Sequence, residues 1–413
     1  MQDKKEPAYF GLPEEVKFCK KCVISNQRPS STNEYFHTKD TKHETIKFDE
    51  EGVCFACRVN EAKDTQIDWE KREEELKELL DGHRSKDGSY DVLVPGSGGK
   101  DSAFQSHVLK YKYNMHPLTV TWSPHIYTEI GWKNFQGWLR KGGFDNYLFT
   151  PNPKIHCLLT KLAFENLLHT FQPFILGQKT FAPKMAAKFG IKLIMYGEMP
   201  GEYGAAIPIT ESRFRSSGSK KDGFSTDYAL GKELKDLCLG GIPIGQIMDK
   251  YKLALGDLEP YLPMKLEIIE DTKIEFHYLG YYLKWTPQEC YYYAVENTGF
   301  EANPERTEGT YSKYNSLDDR IDGFFYYTTF IKFGLGRATY DAAQEIRNHH
   351  LTREDGVALV KRFEGEFPKK YFQEILEYMG INEEEFWQTV DKFRSPHLWE
   401  KKDSVWELKH HVW

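Results

Sequence analysis

Four of the seven cysteines stand in two pairs, Cys19-Lys-Lys-Cys22 and Cys54-Phe-Ala-Cys57. Two intervening residues let both thiolates of a pair turn toward one ion from a tight knuckle. Two knuckles then complete the tetrahedral four-sulfur shell that zinc prefers. Sulfur fills every ligand place, so such a site is closed and structural, not catalytic. Neither pair starts a helix after a core strand, which argues against a redox role. Between the pairs lie the strand-like His43-Glu-Thr-Ile-Lys-Phe48 and the turn Glu51-Gly52. Residues 1–64 therefore read as a zinc ribbon with Cys19, Cys22, Cys54 and Cys57 as ligands.

A second segment is built for anions. Gly96-Ser-Gly-Gly-Lys-Asp-Ser102 directly follows the short apolar run Tyr90-Asp-Val-Leu-Val-Pro95 and precedes a helical stretch, Ala103 to Tyr111. Its glycines allow positive φ and let backbone N–H groups come close to a phosphate. A loop between strand and helix aims those groups and the helix N-terminus at the same point. Ser97 and Ser102 add hydroxyls, Lys100 a cation, and Asp101 a carboxylate that orients the loop or holds a metal. The spacing fits neither Walker A nor the dinucleotide fingerprint.

These groups need a frame, and the frame is legible. Strand-like runs at Tyr90–Pro95, Pro117–Thr121, Asn146–Phe149 and Ile191–Tyr196 alternate with helical stretches at Glu129–Lys141, Lys154–Thr170 and Thr180–Phe189. That alternation predicts an α/β fold with a parallel sheet covered on both faces. A charged helix precedes it, with Asp68 as N-cap, Glu70 in the first turn and a sparse apolar stripe at Trp69, Leu76, Leu79 and Leu80. Glu211 to Lys221 is polar and basic, either a lid over phosphates or a plain solvated loop. From Lys232 the chain reads as mainly helical, apart from a strand at Lys273–Tyr278. The expected division is a zinc ribbon at 1–64, a nucleotide-binding α/β domain at 65–225 and a helical substrate-binding domain at 226–413.

Composition narrows the function. The 413 residues are 40% apolar and 28% charged, a globular balance large enough for two or three cored domains. No apolar run approaches the ~18 residues of a membrane helix, so no membrane partner is expected. The start, Met1-Gln-Asp-Lys-Lys-Glu-Pro7, lacks the apolar core of a signal peptide, so the expected location is cytoplasmic. A net charge of −7 argues against a broad nucleic-acid footprint. Phe, Tyr and Trp make up 15% of the chain, which suits large aromatic cores and also pockets for flat rings or sugar faces.

Ser97-Gly-Gly-Lys-Asp-Ser102 resembles the PP-loop of the N-type ATP pyrophosphatases, whose fold is adenine nucleotide alpha hydrolase-like. A wider resemblance spans nearly the whole chain. The knuckles, Leu118-Thr-Val-Thr-Trp122, Gly131-Trp-Lys-Asn-Phe135, Phe171-Gln-Pro-Phe174, Tyr196-Gly-Glu198, Gly309-Thr-Tyr-Ser-Lys-Tyr314, Leu317-Asp-Asp319 and Lys332-Phe-Gly-Leu-Gly-Arg337 are similar to the N-acetyl sugar amidotransferases. That family serves bacterial surface polysaccharides, lipopolysaccharide O-antigen among them, and flagellin glycans. The resemblance implies an ATP-dependent ligase that turns the acetamido group of an acidic, nucleotide-linked sugar into an acetamidino group through an adenylated imidate. It implies ATP and Mg2+ as cofactors beside structural Zn2+. Met199-Pro200 departs from the small polar residue expected after Tyr196-Gly-Glu198.

Roles follow from the resemblance and the chemistry together. Ser97, Gly98, Gly99, Lys100, Asp101 and Ser102 are the expected ATP cradle, with Thr121 beside the adenine slot. Lys100, Asp101, Ser102 and Glu198 are the expected catalytic groups, Glu198 binding Mg2+ or moving a proton. Glu202, Lys332 and Arg337 are the expected substrate residues, Arg337 as a two-pronged carboxylate or phosphate contact. Residue 2 is Gln, and Cys157, Cys238 and Cys290 lack the strained, glycine-flanked turn of a nucleophile. A separate glutaminase is thus the expected ammonia source. The alternative is a PP-loop enzyme of the tRNA-thiolating type, which calls for a basic face and cysteines beside the loop. A nucleotide sensor would need the loop but no acids at the sheet edge.

Overall fold

The computed structural model describes residues 6–29, 39–41, 44–203, 234 and 237–413. The second knuckle runs straight into helix α1 (Phe55–Thr65), which begins after Cys54 and carries the ribbon past the expected boundary at 64. Only isolated bridges precede that helix among the described residues, Phe18 to Ser25, Pro29 to Thr45 and Phe48 to Cys54. No core strand launches it, so the geometry stays unlike a redox pair. Helix α2 (Trp69–His83) is capped as expected: the Asp68 carboxylate accepts from Lys71 N at 3.1 Å.

Strands β1 (Val92–Pro95), β2 (Pro117–Trp122), β3 (Asp145–Phe149) and β4 (Leu193–Tyr196) form a parallel sheet. Val92, Leu93 and Val94 are fully buried, which is why β1 reads as a continuous apolar run and not an alternating one. The sheet order is β3-β2-β1-β4, followed by a fifth strand, Glu275–Tyr278. That strand lies beyond the expected boundary at 225/226, yet it pairs in parallel with β4 from Leu193–Glu275 to Tyr196–Tyr278. The sheet therefore does not end where the nucleotide domain was expected to end. Burial of Ile274 and Phe276 against the main core explains the pairing.

Helices α3 (Lys100–His107), α4 (Glu129–Gly142), α5 (Pro153–Leu167) and α6 (Gln172–Phe189) link the strands. Helix α6 starts eight residues before the expected Thr180, because Pro173 sits in its first turn, where the missing N–H costs nothing. The C-terminal region is mainly helical, as expected, with helices at Asp322–Phe333, Arg337–Arg347, Arg353–Phe363, Phe372–Met379 and Glu383–Lys392 and a closing hairpin. Tyr291 stacks on Tyr314 at 4.5 Å, Tyr293 bonds His107, and Tyr292 faces solvent, so the three consecutive tyrosines do point different ways. Among the described residues no helix is long and apolar enough to cross a membrane. The basic segment Glu211–Lys221 lies outside the described residues.

Candidate functional site

Strand β1 has β2 on one side and β4 on the other, so the chain reverses direction across the sheet at that point. Open α/β sheets hold ligands at such a switch, beyond the strand C-termini. The Gly96–Ser102 loop sits there. Gly98 has φ +83°, and a Cβ on it would lie 2.7 Å from Phe135 Cα. A Cβ on Gly96 would lie 2.4 Å from Ser102 Cβ. Only glycine fits either place. Gly99 is different: its φ is −66°, and a Cβ there would meet nothing nearer than Ser97 Oγ at 3.6 Å. The open face of Gly99 and the N-terminus of α3 thus border space, not protein, as an anion cradle requires.

The loop is locked from behind. Ser102 Oγ accepts from Gly98 N and donates to Gly99 O, both at 3.1 Å. Thr121 Oγ1 donates to Gly96 O at 2.7 Å and accepts from Asn146 at 3.0 Å. Thr121 is buried and spent on the loop backbone, so the expectation that it contacts the cofactor is corrected to a supporting role. A β-branched hydroxyl at a strand end reaches the neighbouring loop more readily than a base. Ser97 lines the cavity on each side of the loop and bonds the Asp318 carboxylate. Burial pushes the Asp318 carboxyl above the usual range, partly offset by that bond.

Lys100 is buried and paired with Asp101 Oδ2. Burial alone would lower its pKa, but the Asp101 and Glu198 carboxylates outweigh burial and raise it. Lys100 is therefore a fixed cation at the cradle. Asp101 Oδ1 is buried and has no hydrogen-bond partner among the described residues. Glu198 lines the same cleft just beyond the C-terminus of β4. Gly197 puts it there: a Cβ would lie 2.9 Å from the Trp285 ring, and Gly197 O accepts from Gly280 N at 2.9 Å. Met199, the unexpected residue, is fully buried and anchors the segment after Glu198 in the core. The residues present fit a Mg2+-bound triphosphate: the loop supplies N–H donors and a cation, and Asp101 Oδ1 and Glu198 supply hard oxygens. Glu202 lies on the turn Pro200–Tyr203; its side chain is outside the described residues.

The cleft is about 850 Å³. One wall, from the sheet and α6, is largely apolar: Val120, Trp122, Ile175 and Phe181. The opposite wall comes from the C-terminal helices and carries Tyr326, Arg337, Tyr340, Asp341 and Arg347. Gly131 lets the two halves meet, because a Cβ there would lie 2.4 Å from Asp318 Cα. Thr128 N donates to Asp318 O at 3.1 Å in the same place. Arg337 lies in the cleft wall, with Nε on Asp341 at 3.1 Å, Nη1 on Ser316 at 2.7 Å and Tyr326 under its plane at 4.2 Å. Its charge is already balanced within the protein. Lys332 is 1% exposed, and its Nζ donates to Leu167 O at 2.7 Å between the Phe10 and Phe393 rings. Lys332 also lines the cleft, and its bond to Leu167 O ties helix Asp322–Phe333 to α5, since a buried ammonium must satisfy its donors locally.

The four knuckle sulfurs converge. All lie within 4.8 Å of one another, with Cys19–Cys57 at 3.9 Å and Cys22–Cys54 at 3.7 Å. Zn–S bonds of about 2.3 Å in a tetrahedron require S–S edges of about 3.8 Å. The set fits zinc. The knuckles also rest on the far end of the chain: Arg353 donates to Cys22 O at 3.2 Å and Cys19 O at 3.3 Å, and Ala342, Ala343 and Val360 share their core. Sequence reasoning missed Arg28, Lys179, Ser316 and Asp318 in the cleft walls. Asp318 lay inside the Leu317–Asp319 motif, but nothing near Arg28 marks it as a cleft residue.

Residues 308–412 match the family model described as LPS biosynthesis protein WbpG-like, C-terminal domain. An uncharacterized protein of Methanocaldococcus jannaschii is 31% identical over 84 residues, which cover 20% of this chain and 29% of that relative's length. Among solved structures, NMN synthetase from Francisella tularensis is similar at 12% identity and a TM-score of 0.25, over 32% of this chain and 54% of that one. NH3-dependent NAD synthetase from Campylobacter jejuni is similar at 14% identity and 0.26, over 32% and 57%. The WbpG-like match, on a chain whose N-terminal half carries the loop, the parallel sheet and the four-sulfur cluster, supports the N-acetyl sugar amidotransferase family read from the motifs.

Proposed function

We propose that this chain is an ATP-using PP-loop amidating enzyme that converts the acetamido group of an N-acetyl sugar into an acetamidino group. The observation that carries this reading is one cleft with two unlike walls, an anion cradle with an apolar shelf on the sheet side and a tyrosine- and arginine-bearing wall from the WbpG-like region. A cleft of about 850 Å³ is at the upper end of small-molecule sites and suits two substrates side by side.

An amide carbon is a weak electrophile, and ammonia does not displace its oxygen unaided. Moving AMP onto the amide oxygen, with release of pyrophosphate, makes that oxygen a leaving group. Ammonia then adds to carbon, AMP departs with the oxygen, and a proton is lost. The protein's share is positioning, charge compensation and exclusion of water. Lys100 and the α3 N-terminus offset charge on the departing pyrophosphate. Asp101 and Glu198 are the residues that would hold Mg2+, which when bound would neutralise the phosphates further. Glu198, close enough to the fixed cation Lys100 to act on it, is placed to accept the proton that ammonia loses. The ammonia itself comes from a separate glutaminase in this reading, since Cys157, Cys238 and Cys290 lack the strained, glycine-flanked turn of a glutamine-hydrolysing nucleophile.

The thiolation reading gains one neighbour and loses its chemistry. Cys290 packs near Lys100 and Asp101, but burial first, and then Asp101, push its thiol well above the usual range, so it is protonated and inert. Pyrophosphate release tests the proposal. An acetamido sugar acid with ammonium should stimulate it, and stimulation by tRNA in their place would refute it.

A further inference from the structure

Arg28 belongs to the zinc ribbon, yet its side chain lines the same cleft as the PP-loop. Only 6% of the residue is exposed. Its contacts are the Tyr340 ring at 5.3 Å, a hydrogen bond to the Tyr340 hydroxyl and its neighbour's carbonyl, Pro29 O, at 3.5 Å, all neutral groups. No carboxylate among the described residues pairs with it. Arg337 in the same cleft behaves differently, with Asp341 at 3.1 Å and Asp322 at 4.0 Å. A buried guanidinium without a counter-charge is costly to maintain. It becomes favourable once an anion arrives, and a planar fork suits a carboxylate or phosphate.

The neighbours reinforce this. Arg347, at the last turn of helix Arg337–Arg347, lines the cleft with Gln344 and Tyr340. Burial lowers Arg28, Tyr340 opposes that, and the nearby Arg347 charge lowers it further. The Arg347 charge adds positive potential on the Arg28 side of the cavity, which favours an anion there. The backbone under Arg28 is fixed by the metal module: Arg28 N donates to Ser25 O at 3.2 Å, Ile46 N donates to Arg28 O at 2.9 Å, and Cys19 N donates to Ile24 O at 2.8 Å. The knuckle that binds the metal therefore also sets the height of the guanidinium.

We propose that the zinc ribbon is part of the acceptor site, with Arg28 and Arg347 seating an anionic oxygen group, phosphate or carboxylate, of the sugar substrate. This rests on the reading that the cleft holds an acceptor beside ATP. The PP-loop already takes the ATP phosphates, and the Trp122–Phe181 wall suits the base. What remains for the ribbon side is the second substrate. The ribbon then makes substrate binding conditional on its own folding.

Calorimetric titration of the intact zinc-loaded chain, saturated with α,β-methylene-ATP, tests this with three probes: UDP, N-acetylneuraminate and neutral N-acetylglucosamine. UDP reports a phosphate seat and N-acetylneuraminate a carboxylate seat. One of the two should bind more tightly than the neutral sugar. Arg28→Met should weaken that anion roughly ten-fold or more, as loss of a charge-assisted bond does. Arg28→Lys should recover part of it, because charge remains while the fork is lost. Zinc content and α,β-methylene-ATP affinity should stay within about two-fold, since the loop donors are untouched. Unchanged anion affinity in Arg28→Met, equal loss of the ATP analogue, or failure of the wild type to prefer either anion would overturn the inference. Amidine formation with an unchanged acceptor KM in Arg28→Met would overturn it while leaving the proposed function standing. Loss of anion binding in a chain that never amidinates would do the reverse.

Discussion

Gly99→Ala separates the cradle from the fold. The residue is the N-cap of α3 with φ −66° and ψ 163°, values alanine adopts without strain. A Cβ meets only Ser97 Oγ, at 3.6 Å. Reduced freedom of the unfolded chain stabilises such a change by about 0.4–1 kcal/mol. Alanine is a poorer N-cap than glycine, by a similar amount. The two nearly cancel, so Tm should move by less than about 2 °C. The methyl group, however, stands where a phosphate oxygen must approach Gly99 and the first N–H groups of α3. Displacing the triphosphate by about 1 Å costs roughly 100-fold in rate. Gly98→Ala makes the contrast: φ +83° and a 2.7 Å approach to Phe135 Cα combine left-handed strain of about 1–2 kcal/mol with overpacking of about 1–3. It should unfold well below the wild type. Differential scanning fluorimetry paired with pyrophosphate release reads both. A Gly99→Ala chain with wild-type stability and wild-type turnover would refute the cradle.

Asp101→Ala and Ser97→Ala should abolish pyrophosphate release while circular dichroism stays unchanged. Cys22→Ser should lose zinc by metal analysis and loosen residues 1 to 62 and also helices Arg337–Arg347 and Arg353–Phe363, because Arg353 hangs on the knuckle carbonyls; hydrogen exchange confined to the ribbon would contradict this. Lys332→Met should cost about 1–3 kcal/mol in denaturant unfolding, leaving Leu167 O unpaired, with acceptor KM unaltered. Burial pushes Asp322 up to about 7, against Arg337 and Ser316 and with Asp318 and Asp319. The folded state then holds a proton the unfolded state releases, so this contribution is present below about pH 4 and is lost as pH rises toward 7. Asp322→Asn should flatten the stability profile across that window, and an unchanged profile would contradict the assignment.

Local chemistry was legible where one residue type has one use. Val92-Leu-Val94 had to be a buried strand, Asp68 had to cap, and two knuckles had to converge. The fifth strand was recognised as a strand but not as part of the sheet, because its partner β4 is about eighty residues away and only the shared core joins them. Thr121 and Lys332 pose a related difficulty. A hydroxyl or an ammonium serves a ligand or a backbone carbonyl equally well, and only the fold decides which lies nearer. Arg28 carried no signal, since its meaning arises from a ribbon packing on helices more than three hundred residues later.

The central claim meets its most direct test in the mass of the sugar. The purified chain is incubated with ATP, Mg2+, ammonium and an acetamido sugar acid, and the product is examined by high-resolution mass spectrometry with 15N-labelled ammonium alongside. The account predicts one oxygen replaced by one NH in the acetamido group, the label entering only there, with AMP and pyrophosphate formed in step. Release of AMP and pyrophosphate without label in the sugar, or label arriving in a tRNA base, would contradict it.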